Sequence, residues 1–224
     1  QVAAVNMELL RSSGVEPPKT LEDVFALREK LGAGSVAVAM APTDIFSLYM
    51  SLTAQLSGPA YFDIRTGIHE DAGTQAAQLL YRLKDISVPE SFDMNPIQLL
   101  DAMSEQGKIA YTPFLYGYTN YSRDGFRLHL LEFRDAPLLR EGTQVSTQLG
   151  GVGIAISAQI APEKLKEAVA YAEYLASPEI QTGIYTAANG QPAARSAWTN
   201  PKNDAMTHGF FSQTLRTLDM AFLR

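Results

Sequence analysis

The chain has 224 residues, of which 46% are apolar, and a formal net charge of −6 from 18 basic and 24 acidic side chains. This composition supports a sizeable folded core and argues against a nucleic-acid partner, because nucleic-acid binding needs a basic face. Cysteine is absent, which excludes disulfides, thiolate metal sites and cysteine nucleophiles.

The hydropathy pattern predicts no membrane insertion. No run of about 18 apolar residues is present, which is the length that a membrane-spanning helix requires. The first residues also lack the basic start and the long apolar stretch of a signal peptide.

The first quarter of the chain is predicted to form three helices and one strand. Residues 3–13 have a helical pattern that stops at a glycine. Thr20 precedes an acidic turn, which favours a second helix beginning there. Residues 35–41 are apolar and favour a buried strand, and Asp44 is a candidate cap for a third helix over 45–56.

The rest of the chain alternates between helices and strands in the same way. In chain order the predicted elements are a loop over 57–73, a helix that buries Ala76, Leu80 and Leu83, a helix starting at Asn95, a strand over 108–115, a strand over 128–133, a helix over 163–176, a helix from Ser177, a loop over 190–193 and a last helix over 204–223. This alternation is typical of the α/β class.

A glycine-rich break interrupts a predicted strand over residues 145–157, at positions 150–153. A phosphate-binding fingerprint needs a helix directly after its glycines. Here residues 154–156 continue a strand pattern, so a dinucleotide site is rejected. The break is either a hinge close to a ligand or a bulge in the strand.

Several short motifs, in a fixed order, resemble those of one protein family. They are VEPPKT at 15–20, QGKIA at 106–110, GVGIAIS at 151–157, EYLASPEIQ at 173–181 and GQPAAR at 190–195. Together they resemble the extracellular solute-binding proteins of bacterial ABC importers, within the carbohydrate-binding group that includes maltose-binding protein.

The resemblance implies a fold and a division of the chain. The fold would be a type II periplasmic-binding-protein-like lobe, with a mixed sheet flanked by helices. Residues 1–150 would be the first part of the C-terminal lobe, 151–195 an incomplete return segment of the N-terminal lobe, and 196–224 the closing helix of the C-terminal lobe. Members of the family are longer, so the sequence is expected to be a fragment that lacks most of the N-terminal lobe.

The resemblance also implies a function. The protein would bind an extracellular sugar or related polyhydroxy solute in a cleft between lobes and deliver it to an ABC transporter permease. It would be a monomer in the periplasm or outside the cell. The resemblance leaves open whether the full-length protein has a membrane anchor. It would use no cofactor and catalyse no reaction. The alternatives are an α/β enzyme that acts on a carbohydrate and the same binder fold with a non-sugar small solute.

The first candidate ligand residues follow the predicted strand over 108–115. Tyr116, Gly117, Tyr118 and Asn120 form a polar aromatic loop together with Tyr121. Ligands of open α/β sheets bind at the carboxyl ends of strands, and a phenol offers both a stacking face and a hydrogen-bonding tip. The alternative is that these tyrosines are half-buried packing residues.

The remaining candidates lie in three other segments. Thr43 and Asp44 follow the strand over 35–41, although Asp44 is also explained as a helix cap. Gly151 and Val152 lie in the glycine break, where many family members have tryptophan at the position of Val152. Arg195 either holds a ligand or pairs with a surface carboxylate.

No motif for catalysis or metal binding is present. The three histidines, His69, His129 and His208, lie far apart without the spacing of metal ligands, so a metal site is not expected. No nucleophile elbow and no Walker loop is present. The single tryptophan, Trp198, either faces the cleft or packs between the last helix and the lobe.

Overall fold

The centre of the fold is a small antiparallel sheet. A computed structural model of the protein describes residues 1–58 and 61–222. The strands are Val2–Val5 (β1), Phe62–Asp63 (β2), Gly67–Ile68 (β3), Tyr111–Leu115 (β4) and Glu132–Arg134 (β5). β1 lies between β4 and β5 and runs antiparallel to both, whereas β2 and β3 form a separate hairpin.

The predicted helix over 3–13 is wrong in its first half. Residues 2–5 are the central strand, and the helix begins only after Asn6, whose side chain accepts the backbone N–H of Leu9. A run of four small apolar residues fits a buried strand and a buried helix equally well, and the pattern alone cannot separate them. The partners that decide for a strand lie more than 100 residues away along the chain.

The predicted strand over 35–41 is a buried extended segment with a single parallel bridge, from Val36 to Tyr111. The backbone N–H of Ala110 donates to the carbonyl of Ser35, and that of Ala37 donates to Tyr111. The segment therefore adds a parallel partner on the outer side of β4, which makes the sheet mixed as predicted.

Ten helices surround the sheet in the described part of the chain. They are Met7–Ser12 (α1), Leu21–Leu31 (α2), Pro42–Ser57 (α3), Glu70–Ile86 (α4), Pro96–Asp101 (α5), Pro162–Ala176 (α6), Pro178–Ile180 (α7), Arg195–Trp198 (α8), Pro201–Met206 (α9) and Phe210–Asp219 (α10). Thr20 and Asp23 form a capping box at the start of α2, and Asn95 and Gln98 form one at the start of α5. Both predicted helix starts are therefore confirmed. No helix in the described ranges is long and apolar enough to cross a membrane.

Alternate side chains of β1 enter two cores on opposite faces of the sheet. Ala3 and Val5 belong to a core formed with α1 to α4. Ala4 belongs to a second core formed with α5, β5 and α10, in which Phe133, Phe210 and Phe211 contact one another or Trp198. The layered helix–sheet–helix arrangement confirms the α/β class.

The last helix is broken, contrary to the prediction of one helix over 204–223. His208 and Gly209 have positive φ angles of 47° and 82°, so α9 ends before them and α10 begins after them. The regular spacing of apolar residues in α10 did not reveal this break, because spacing reports burial and not continuity. Position 223 lies outside the described residues, as do positions 59 and 60 of the loop predicted over 57–73, which holds the hairpin of β2 and β3.

The predicted strand over 145–157 is also wrong. Within the described residues, the only pairing of this stretch is a parallel bridge from Gln148 to Phe222. Residues 149–155 are exposed, and α6, which follows, has no buried residue. A strand pattern is realised only where a neighbouring strand supplies hydrogen bonds, and the described residues place none beside this segment.

Candidate functional site

The amino end of α3 carries a buried carboxylate. Ala41 caps the helix with its backbone, and Asp44 is the third helical residue, so the interpretation of Asp44 as a cap is wrong. Asp44 is only 8% exposed, and its carboxylate accepts no hydrogen bond from the part of the chain that the structure describes. Burial raises the pKa of the Asp44 carboxyl above its ordinary value.

Two tyrosines of the loop after β4 face the same region. Tyr118 is 39% exposed, and its pKa is raised first by burial and then by the negative charges of Asp44 and Tyr116. These three side chains are therefore close enough to interact electrostatically. Thr43, which is exposed, precedes Asp44 on the first turn of α3. The convergence follows from the sheet, since the segment over 35–41 and β4 run parallel and end at the same edge.

Tyr116 is held in place by residues 148–150. Its hydroxyl donates to Oε1 of Gln148 at 2.8 Å. A Cβ added to Gly150 would lie 2.6 Å from a ring carbon of Tyr116, so only glycine allows the backbone to approach the ring this closely. The ring is thereby fixed between Gln148 and Gly150, with its position set by both.

A buried hydrogen-bonded chain lies behind Tyr116. Gln148 is 2% exposed, and its backbone N–H donates to the hydroxyl of Ser51 at 2.9 Å. That hydroxyl in turn donates to Oε1 of Gln1 at 2.8 Å, and Ser51 is fully buried. The network joins α3, the start of β1 and the segment that contacts Tyr116. Sequence reasoning missed these residues, and the one signal for them was a pair of serines, Ser47 and Ser51, four residues apart on an otherwise apolar helix.

Three other loop residues have structural roles. A Cβ at Gly117 would lie 2.8 Å from Val2 and 3.1 Å from Phe210, so packing requires glycine there. Tyr121 is buried, and its hydroxyl donates to Asp101 at 2.7 Å, which is the packing role predicted as the alternative to ligand contact. Oδ1 of Asn120 is buried without a hydrogen-bond partner among the described residues.

The other predicted site residues do not join this cluster. Gly151 and Val152 are exposed, and Val152 makes no burying contact at all. Arg195 is exposed and forms a two-bond ion pair with Asp219 at the end of α10, which is the surface pairing that the sequence left as the alternative. Trp198 is buried and donates from Nε1 to the carbonyl of Pro192, so it packs instead of facing solvent.

The cluster is an open wall and not an enclosed pocket. Two surface grooves, of about 680 and 500 Å³, lie elsewhere: one between residues 178–187 and α8 to α9, the other beside α10. Neither is lined by the site residues, since a single wall encloses no volume. Within residues 1–58 and 61–222, no group of three or more potential metal-ligating side chains is present. The chemistry of the wall is thus one carboxylate, two phenols and amide groups.

Solved structures match the chain over nearly its whole length, whereas no family model and no curated protein matches it. An ABC transporter solute-binding protein from Agrobacterium radiobacter K84, in complex with ribitol, has a TM-score of 0.75 at 19% identity and covers 97% of this chain. Maltose-bound T. maritima MalE3 has a TM-score of 0.78 at 14% identity and covers 100%. A chitin oligosaccharide binding protein has a TM-score of 0.74 at 19% identity and covers 99%. The chain has the fold of ABC transporter solute-binding proteins.

This match confirms the predicted type II periplasmic-binding-protein fold. The chain spans 57%, 59% and 59% of the lengths of these three structures, so they are longer, as the resemblance predicted. Two of the three are binding proteins by name, and the third is described with maltose bound. In the present chain, the segment 149–176, which has no buried residue, begins directly after Gln148, so the wall and this segment are adjacent along the backbone.

Proposed function

We propose that this chain supplies one wall of a cleft that captures a sugar or a related polyhydroxy solute for import. The observation that carries the proposal is that Asp44, Tyr116 and Tyr118 follow two parallel segments that end at the same edge of the sheet. A sugar presents hydroxyl donors around a ring with apolar faces. Phenol rings can stack on such faces, and a carboxylate without a protein partner can accept bonds from the hydroxyls.

The geometry supports binding without bond breaking. Most glycoside hydrolases need two carboxyl groups on either side of the scissile bond. Burial is the sole cause of the raised pKa of Asp44, and no second carboxyl contributes to it. The wall therefore has an acceptor for hydroxyl groups but lacks the paired acid and base of a hydrolase.

The ligands of the matched structures support the solute class. Ribitol, maltose and alpha-D-tagatose are bound in three of them, and each is rich in hydroxyl groups. We infer that delivery to an ABC transporter permease, from the periplasm or the outside of the cell, is the role of the captured complex. A putative oligosaccharide periplasmic-binding protein among the matches agrees with that location.

We infer further that residues 151–176 pack against a second lobe that completes the cleft. α6 has no buried residue, yet it exposes Leu165, Val169, Tyr171 and Tyr174. Apolar side chains in such number on one helix are usually covered in a folded protein. Hydrogen exchange of α6 in the full-length natural protein should be slower than in the 224-residue chain, and equal rates would contradict this inference.

A carbohydrate titration tests the main proposal. The full-length natural protein is titrated with a panel that includes ribitol, maltose and chitin oligosaccharides, and its melting temperature is recorded, because a ligand that binds only the folded state raises stability. Tyr116→Ala and Tyr118→Ala should weaken the response. Tyr81→Ala, which removes an exposed tyrosine from α4, is the matched control. A protein that responds to no carbohydrate, or that hydrolyses the sugar it binds, would refute the proposal.

A further inference from the structure

The charge of the wall is negative and uncompensated at Asp44. The residue is more than nine-tenths buried at the amino end of α3, and its carboxylate accepts no hydrogen bond from the described residues. No lysine or arginine in the described ranges contributes to its pKa. The carboxylate oxygens of Asp44 are not among the fully buried atoms without a partner, so solvent reaches them, and a hydroxyl or ammonium donor of a solute can take the place of that water.

The arginines that follow the tyrosine loop are engaged elsewhere. Arg123 donates to the carbonyl of Thr186 at 2.8 Å. Arg127 contacts Asp101 at 2.9 Å and Glu105 at 3.3 Å, on the side of the loop where Tyr121 is buried. These contacts leave Asp44 as the charge that a solute meets beside the exposed phenol of Tyr118 and the half-buried phenol of Tyr116.

Arg195 is the one predicted ligand residue with a positive charge that could have offset the negative charge of Asp44. Its guanidinium makes both of its bonds to the carboxylate of Asp219, so it is neutralised at the surface of α10. A solute with a carboxylate or a phosphate would therefore face a like charge and find no cation among the described wall residues. A solute with hydroxyl or ammonium groups would supply the donors that Asp44 lacks.

We propose that Asp44 makes the site selective for solutes that are neutral or carry an amine, and that it excludes acidic sugars. This inference rests on the proposed sugar-binding function. Fold alone does not keep charged groups out of the ligand, because a matched structure at 17% identity contains glycerophosphocholine, which carries both a phosphate and a quaternary ammonium group.

The test compares sugars that differ only in charge. The full-length natural protein is titrated calorimetrically with the neutral sugar that it binds most tightly, then with the corresponding uronic acid, sugar phosphate and amino sugar. The uronic acid and the phosphate should bind at least about tenfold more weakly than the neutral sugar, since a like charge beside a buried carboxylate is strongly unfavourable. The amino sugar should bind at least as tightly as the neutral one.

Two variants assign the selectivity to Asp44. Asp44→Asn keeps the size and one acceptor but removes the charge, so it should reduce the discrimination against the acidic sugars to about threefold or less. Glu29→Gln changes the net charge by the same amount at an exposed position of α2 and should leave the discrimination unchanged.

The outcomes separate this inference from the function on which it rests. If no sugar of any charge binds, the proposed function is wrong. If the neutral sugar binds but the uronic acid binds equally well, only the selectivity is wrong. Discrimination that persists in Asp44→Asn would assign the selectivity to another group and would overturn the role proposed for Asp44.

Discussion

Replacing Ser51 with alanine should destabilise the fold, although it removes a single oxygen. The hydroxyl of Ser51 accepts the backbone N–H of Gln148 at 2.9 Å and donates to Oε1 of Gln1 at 2.8 Å. Ser51 is fully buried, and its two partners are 2% and 8% exposed. Each buried polar group that loses its partner costs about 1–3 kcal/mol. We expect the free energy of unfolding to fall by about 2–4 kcal/mol in total. This is less than the largest possible sum for the two groups, because Gln1 retains slight access to water.

Urea denaturation of the 224-residue chain measures this loss as a shift in the midpoint at constant slope. Ser57→Ala is the matched control, since Ser57 lies on the same helix, is partly exposed and, among the described residues, has a hydrogen bond only to the carbonyl of Thr53. The control should change the free energy of unfolding by less than about 0.5 kcal/mol. Equal effects of the two substitutions would show that the network behind Tyr116 contributes nothing to stability.

Three further predictions concern the site and the core. Gly150→Ala should displace the Tyr116 ring and weaken sugar binding. It should also lower the free energy of unfolding by about 1 kcal/mol, because the hydrogen bond from Tyr116 to Gln148 is lost. Gly151→Ala is the control, since its methyl group meets open space and should leave the free energy of unfolding unchanged. Phe211→Ala should cost about 3–5 kcal/mol in urea denaturation, because Phe211 is fully buried in the second core, and a loss below about 1 kcal/mol would contradict that packing. Asp44→Asn should stabilise the unliganded protein at neutral pH, because burial raises the pKa of Asp44 in the folded state. As pH rises through the folded-state pKa, Asp44 of the wild type ionises in a buried position and the free energy of unfolding falls. The stability advantage of Asp44→Asn should therefore grow from pH 4 to pH 7. An advantage that is independent of pH would refute the raised pKa of Asp44.

Local signals in the sequence predicted local structure well. Thr20 with Asp23 and Asn95 with Gln98 form capping boxes within three residues, so the starts of α2 and α5 could be predicted. The strand β1 could not be predicted in this way, because it depends on hydrogen bonds to β4 and β5, which lie far along the chain. The break between α9 and α10 was equally hidden, since it depends on the backbone angles of two residues.

The site was predictable to the extent that strand ends determine it. Tyr116, Tyr118 and Asp44 follow two parallel neighbouring segments, so the rule that ligands bind at the carboxyl ends of strands predicted that all three lie at one edge of the sheet. Gln148 and Ser51 carry no such signal, because a buried polar network becomes visible only when distant segments are brought together. For Arg195, the sequence left two partners open, and the structure selects Asp219.

The placement of β1 has a consequence for the order in which the molecule assembles. The strand that both cores share lies more than 100 residues before its partners, which are residues 111–115 and 132–134. The sheet can therefore close only after residues 132–134 have been synthesised, and contacts of such long range slow folding.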